Sequence, residues 1–144
     1  MLTPAPGPRN LAPFEHTAYA MVWFSILAVF CAARWIHPDP SGLGSHTQLH
    51  LPPCGFYEMF HKPCPSCGMT TAFAWMMHLH PVEAFRTQPA GVAVFLAALF
   101  LFLYLPCAWA RKKPPMNILE SPAFVIVTFG LIALILVVWV SRVL

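Results

Sequence analysis

Three cysteines with the spacing C-x9-C-x2-C, Cys54, Cys64 and Cys67, fall in the run CGFYEMFHKPCPSCG at residues 54–68. The last pair sits in Pro63-Cys64-Pro65-Ser66-Cys67-Gly68, a sequence that predicts a tight turn bringing two thiols together. Gly68 tolerates the positive φ that would cost most other residues steric energy, and Pro65 stiffens the turn. Such a turn can close around a thiolate-bound ion or hold an exchangeable dithiol. The apolar run after Gly68 reads as a helix, which places the second thiol near a helix N-terminus and predicts a lowered pKa for it.

Three chemistries compete for these residues. As small buried hydrophobes or a structural crosslink, the cysteines would stiffen a loop that has no core of its own. As metal ligands, Cys54, Cys64 and Cys67 supply three thiolates, and His61, His78 or His80 can complete the tetrahedron that structural zinc requires. A structural zinc contributes about 10–16 kcal/mol in small folds, enough to organise this loop. As a redox pair, Cys64 and Cys67 would form and break a disulfide with Cys54 as a shuttling thiol. Against that, Cys-x-x-Cys redox folds come with a βαβ pattern that is missing from this chain. The preferred reading is a structural or metal-binding site of unassigned activity, with zinc as the candidate metal. A non-catalytic accessory subunit of a larger membrane assembly is a further alternative.

What must hold the cysteines is a membrane scaffold. Of 144 residues, 58% are hydrophobic and 9% charged, against about 25% charged in soluble domains. The formal charge of +3 includes no basic run longer than Arg111-Lys112-Lys113, so nucleic acid is not a predicted partner. The bilayer is, with other membrane subunits as candidates. Residues 1–16 are proline-rich without apolar periodicity and read as a disordered or surface-lying tail. Thr17–Ile36 is 20 residues long, which at 1.5 Å per residue matches a hydrocarbon layer of about 30 Å. It is too long for the apolar region of a signal peptide and lacks a cleavage site after it.

The second span is read over residues 90–110, with Pro89 in the tolerated first turn and Pro106 bending the far end. A basic connector, 111–121, leads to the third span at 122–141. Ala123–Val140 contains thirteen Leu, Ile, Val or Phe residues, which favour insertion by about 5 kcal/mol with no charge opposing them. Trp139 suits an interfacial belt and Arg142 an anchoring role. Cys31 and Cys107 lie within spans, so burial is expected. No ionisable residue falls in mid-span, which argues against an ion path.

Residues 37–88 form the loop that carries the cysteines. A short strand is expected over Thr47–Leu51. The apolar run Thr70–Leu79, capped by Thr70 or Thr71, predicts a helix of about 15 Å, too short to cross and therefore interfacial or re-entrant. His78 and His80 close it, and Pro81–Phe85 adds one more short turn. Basic residues divide four against four between the two sides. The clustered Arg111–Lys113 in a short loop tilts that side toward the cytoplasm and the cysteines outward. The fold class is thus an all-α membrane protein with three transmembrane helices plus a short interfacial or re-entrant helix after a Cys-rich loop.

Cys54, the run Pro63-Cys64-Pro65-Ser66-Cys67-Gly68-Met69-Thr70, then Pro81-Val82-Glu83-Ala84-Phe85 and Gln88-Pro89 together resemble an uncharacterised family of small bacterial membrane proteins. That family is known as domain-of-unknown-function family 2752 and carries a CPxCGxTR signature. The resemblance spans roughly Pro53–Phe102, and this chain has Thr71 where the family has arginine. It implies a multi-pass protein of the bacterial cytoplasmic (inner) membrane and assigns no activity.

Overall fold

The computed structural model describes residues 11–39, 48 and 54–144. Three long helices form the frame, α1 (Pro13–Trp35), α5 (Pro89–Ala110) and α7 (Pro122–Val143), with α5 packed against both of the others. All three are long and apolar enough to cross a membrane. Between α1 and α5 come the short helices α2 (Gly55–Phe60), α3 (Met69–Met77) and α4 (Pro81–Thr87), and α6 (Pro115–Leu119) joins α5 to α7. No strand occurs among the described residues. The strand expected over Thr47–Leu51, apart from Gln48, and most of the N-terminal tail lie outside them.

Each long helix opens on a proline, at 13, 89 or 122, where the missing N–H has no intrahelical acceptor to lose. Helix α1 starts four residues before the expected Thr17. Its first turn is set by Glu15, whose Oε2 accepts the Ala12 N–H at 2.7 Å. Helix α5 continues through Pro106.

Helix α3 differs from expectation at its start. Gly68, at φ 88°, is the N-cap, and no side chain caps the helix. Thr71 instead points inward and is buried. Together Thr71, Ala72, Phe73 and Ala74 form the buried face of α3, which packs on α1 and α5. Phe73 meets Phe95 edge-on with ring centroids 5.2 Å apart, and Phe95 lies 5.2 Å from Phe30 of α1. Helices α3 and α5 approach closely at Gly91, where an added Cβ would come within 2.9 Å of Ala72 Cβ. Small residues permit this contact, and in lipid such packing is the main force between helices.

A second cluster, Leu11, Tyr19, Leu105 and Ala108, lies toward the opposite end of the α1–α5 pair. There the Tyr19 hydroxyl donates to Lys113 O at 2.8 Å and Trp109 Nε1 donates to His16 Nδ1 at 2.8 Å. Helix α7 has no buried residue and packs against α5 and α6. Cys31 and Cys107 are exposed, contrary to the expected burial, because each points away from the α1–α5 contact.

Candidate metal centre

The cysteine site is built at the end of the bundle where α1 and α7 finish and α5 begins. Cys54 precedes α2 as its N-cap. The chain reverses at His61, whose φ of 52° ends α2, and enters the Pro63–Gly68 turn. That turn is closed by Cys67 N–H donating to Cys64 O at 3.0 Å and Met69 N–H donating to Ser66 O at 3.1 Å. Gly68 then carries the backbone into α3, its carbonyl accepting the Ala72 N–H at 2.8 Å. A side chain at Gly68 would strain this left-handed step.

The three sulfurs meet. Cys64 Sγ lies 2.8 Å from Cys67 Sγ, Cys67 Sγ lies 3.6 Å from Cys54 Sγ, and all three fall within 4.8 Å of one another. None of the five cysteines is in a disulfide. Sulfurs bound to one tetrahedral zinc at about 2.3 Å stand about 3.8 Å apart. The Cys54–Cys67 distance already matches that value, while Cys64 and Cys67 would separate by about 1 Å to admit an ion.

Electrostatics distinguish the paired thiols. Burial pushes the Cys64 thiol up, but hydrogen bonds from Cys67, Ser66 and Cys54 outweigh it and bring its pKa below the ordinary value. Burial pushes the Cys67 thiol up, and its proton is held against Cys64, so its pKa rises to about 12. The acidified thiol is therefore the first of the pair rather than the second. Cys67 is 8% exposed, and this desolvation overrides the benefit of its place beside α3.

The histidines behave otherwise than expected. Among the described residues no His, Asp or Glu joins the three sulfurs. His61 is exposed at the end of α2. His78 faces α1, its Nε2 3.2 Å from Ile36 O and its Nδ1 3.5 Å from Arg34, so it joins two helices and not the sulfur cluster. His80 lies 3.9 Å from Glu83.

Residues from α7 and the start of α5 fix the turn, and sequence reasoning gave them other roles. Trp139 Nε1 donates to Pro63 O at 2.8 Å. Arg142 donates to Cys67 O at 3.2 Å, to Gln88 Oε1 at 2.8 Å and to Thr87 O at 2.9 Å. Gln88 is buried and its Nε2 donates to Pro65 O at 3.2 Å. Lys62 Nζ donates to Val143 O at 3.2 Å. Three of these accepting carbonyls, those of Pro63, Pro65 and Cys67, belong to the turn itself. Trp139 and Arg142 carry only an interfacial signal in the sequence; their reach of 76 and 75 positions along the chain has no local signature.

No curated protein and no solved structure matches the chain. A family model does match, from the first cysteine of the cluster to Tyr104, taking in the sulfur turn, α2–α4 and most of α5. It leaves out α1, α6 and the α7 residues that brace the turn. By that match residues 54–104 are similar to the family described as protein of unknown function, DUF2752.

Proposed function

We propose that the protein is a multi-pass membrane protein whose Cys54, Cys64 and Cys67 hold one zinc ion at the membrane surface. The observation that carries this reading is the convergence of three sulfurs, from two separate segments, to within 4.8 Å. Thiolate-rich donor sets select soft or borderline cations, and zinc suits a site without a redox partner. With three protein donors the fourth coordination position goes to water or another incoming ligand. The ion ties α2 to the start of α3, which is a structural role, although closed structural zinc sites fill the fourth position with a protein donor and this cluster leaves it open. The clustered Arg111–Lys113 supports a cytoplasmic position for that loop and an outward-facing cysteine site.

Metal analysis of the full-length protein in detergent tests this. About one zinc per chain is expected after purification with zinc present, falling well below one for Cys67→Ser. Folded protein that stays metal-free in excess zinc would defeat the proposal.

A second reading is favoured by the 2.8 Å approach of Cys64 to Cys67 and by the acidified Cys64 thiol. In it, the Cys64 thiolate attacks a substrate disulfide and expels one substrate thiolate. Cys67, losing its proton, then displaces the second, leaving the substrate reduced and Cys64–Cys67 oxidised. Thiol counting after exposure to oxidised glutathione separates the two readings, because a zinc-loaded cluster resists oxidation and a redox pair loses two thiols.

A further inference from the structure

The opposite end of the bundle holds a groove that the cysteine site does not use. It has a volume of about 330 Å³ and lies between α1 and α5, walled by Tyr19, Trp23, Phe24, Leu105, Pro106 and Trp109. Its lining is almost entirely apolar, and its size sits at the low end for small-ligand pockets. From Tyr19 to Trp23 on α1, and from Trp109 back to Leu105 on α5, is about 6 Å along each axis. The groove therefore starts near the ends of both helices and runs about one turn into the apolar layer.

That end is also where the chain is most basic. Arg111, Lys112 and Lys113 follow α5 directly and are exposed. Groove and loop are physically joined, because Tyr19 on the wall donates to Lys113 O at 2.8 Å and Trp109 on the wall accepts the Lys112 N–H through its carbonyl at 2.9 Å. Of the acids nearby, Glu15 is buried and accepts the Ala12 N–H, whereas Glu120 lies beyond α6. Positive charge thus dominates at the groove. The buried indole N–H of Trp23, on the same wall, has no acceptor among the described residues, which is costly in a layer without water.

From this juxtaposition we infer that the groove is a binding site for an anionic glycerophospholipid, with one acyl chain between α1 and α5 and the phosphate at Arg111 and Lys113. An apolar slot that opens beneath a basic loop has the order of a lipid molecule, with charge at the interface and hydrocarbon below it. A zwitterionic lipid would fill the slot equally well, but its headgroup carries no net charge for the loop to attract. Each cation near an anionic lipid surface is worth about a fivefold change in affinity.

Native mass spectrometry of the full-length protein, titrated with dioleoyl phosphatidylglycerol or dioleoyl phosphatidylcholine, tests the assignment. The wild-type protein is expected to retain phosphatidylglycerol at least tenfold more tightly. Arg111→Gln with Lys113→Gln, both on the exposed surface, should bring that preference close to one, since two cations contribute up to about 25-fold. Ala20 also lines the groove, and Ala20→Leu, which places a larger side chain there, should weaken both lipids while leaving their ratio unchanged. Equal retention of the two lipids by the wild-type protein would overturn the inference. So would an Ala20→Leu variant that binds phosphatidylglycerol as the wild type does.

Discussion

Helices α3 and α7 are both strongly apolar, yet they hold the protein together in opposite ways. Helix α3 is nine residues long, too short to cross, and buries four of them against α1 and α5. Helix α7 is 22 residues long, buries none, and is joined to the cysteine turn by hydrogen bonds from its last turn. Hydrophobicity therefore does not separate core from periphery in this chain, since lipid solvates an apolar surface as readily as another helix does. Position is decided by shape in α3, where Ala72 and Gly91 allow close approach, and by polar pairing in α7.

The contrast predicts a graded series of stabilities. Phe73→Ala empties the junction of α1, α3 and α5 and should cost about 3–5 kcal/mol, measured by denaturant unfolding in detergent. A cost below about 1 kcal/mol would mean that this junction is not the core. Arg142→Ala comes next. It strips a buried amide oxygen on Gln88 of its donor and should cost about 1–3 kcal/mol, with Arg142→Lys recovering only part because one ammonium cannot match the fork that reaches Cys67, Gln88 and Thr87. Trp139→Phe keeps an aromatic ring, though a smaller one, and removes the hydrogen bond to Pro63 O, for about 1 kcal/mol. Ile126→Ala on the exposed face of α7 should change stability by no more than about 0.5 kcal/mol. If it instead matched Phe73→Ala, α7 would be part of a packed core.

The tether also sharpens an expectation about the thiols. In metal-free protein Cys64, whose pKa is lowered, forms thiolate at lower pH than an ordinary cysteine. Its alkylation should climb with a midpoint below 9, the ordinary value. Cys67, pushed up to about 12, should stay protonated and unreactive through that range. Peptide mapping after a brief pulse of iodoacetamide across pH 6–10 reads both sites. In Arg142→Ala, where the turn is no longer held through Cys67 O, the two profiles should move toward each other.

Much of this was legible from residue types. Apolar runs of span length identify α1, α5 and α7, and the ten-residue, largely apolar stretch Thr70–Leu79 identifies a helix that must stop short of crossing. The three cysteines were readable as a unit because proline and glycine around Cys64 and Cys67 force a turn. What escaped the sequence depends on distance along the chain. His61 and His78 were candidate ligands by proximity in sequence, but the left-handed step at His61 ends α2 without joining it to the sulfurs, and α3 turns His78 toward Ile36. Trp139 and Arg142 look like ordinary residues of a membrane interface until α7 folds back beside the turn. Which thiol ionises first was likewise hidden, because burial of Cys67 outweighs its place at the start of a helix.

The central claim, that three sulfurs from two segments bind a single ion, is tested most directly by X-ray absorption at the zinc edge on the loaded full-length protein. The account predicts three sulfur neighbours at about 2.3 Å and one lighter donor. A first shell of nitrogen and oxygen with fewer than three sulfurs would contradict it.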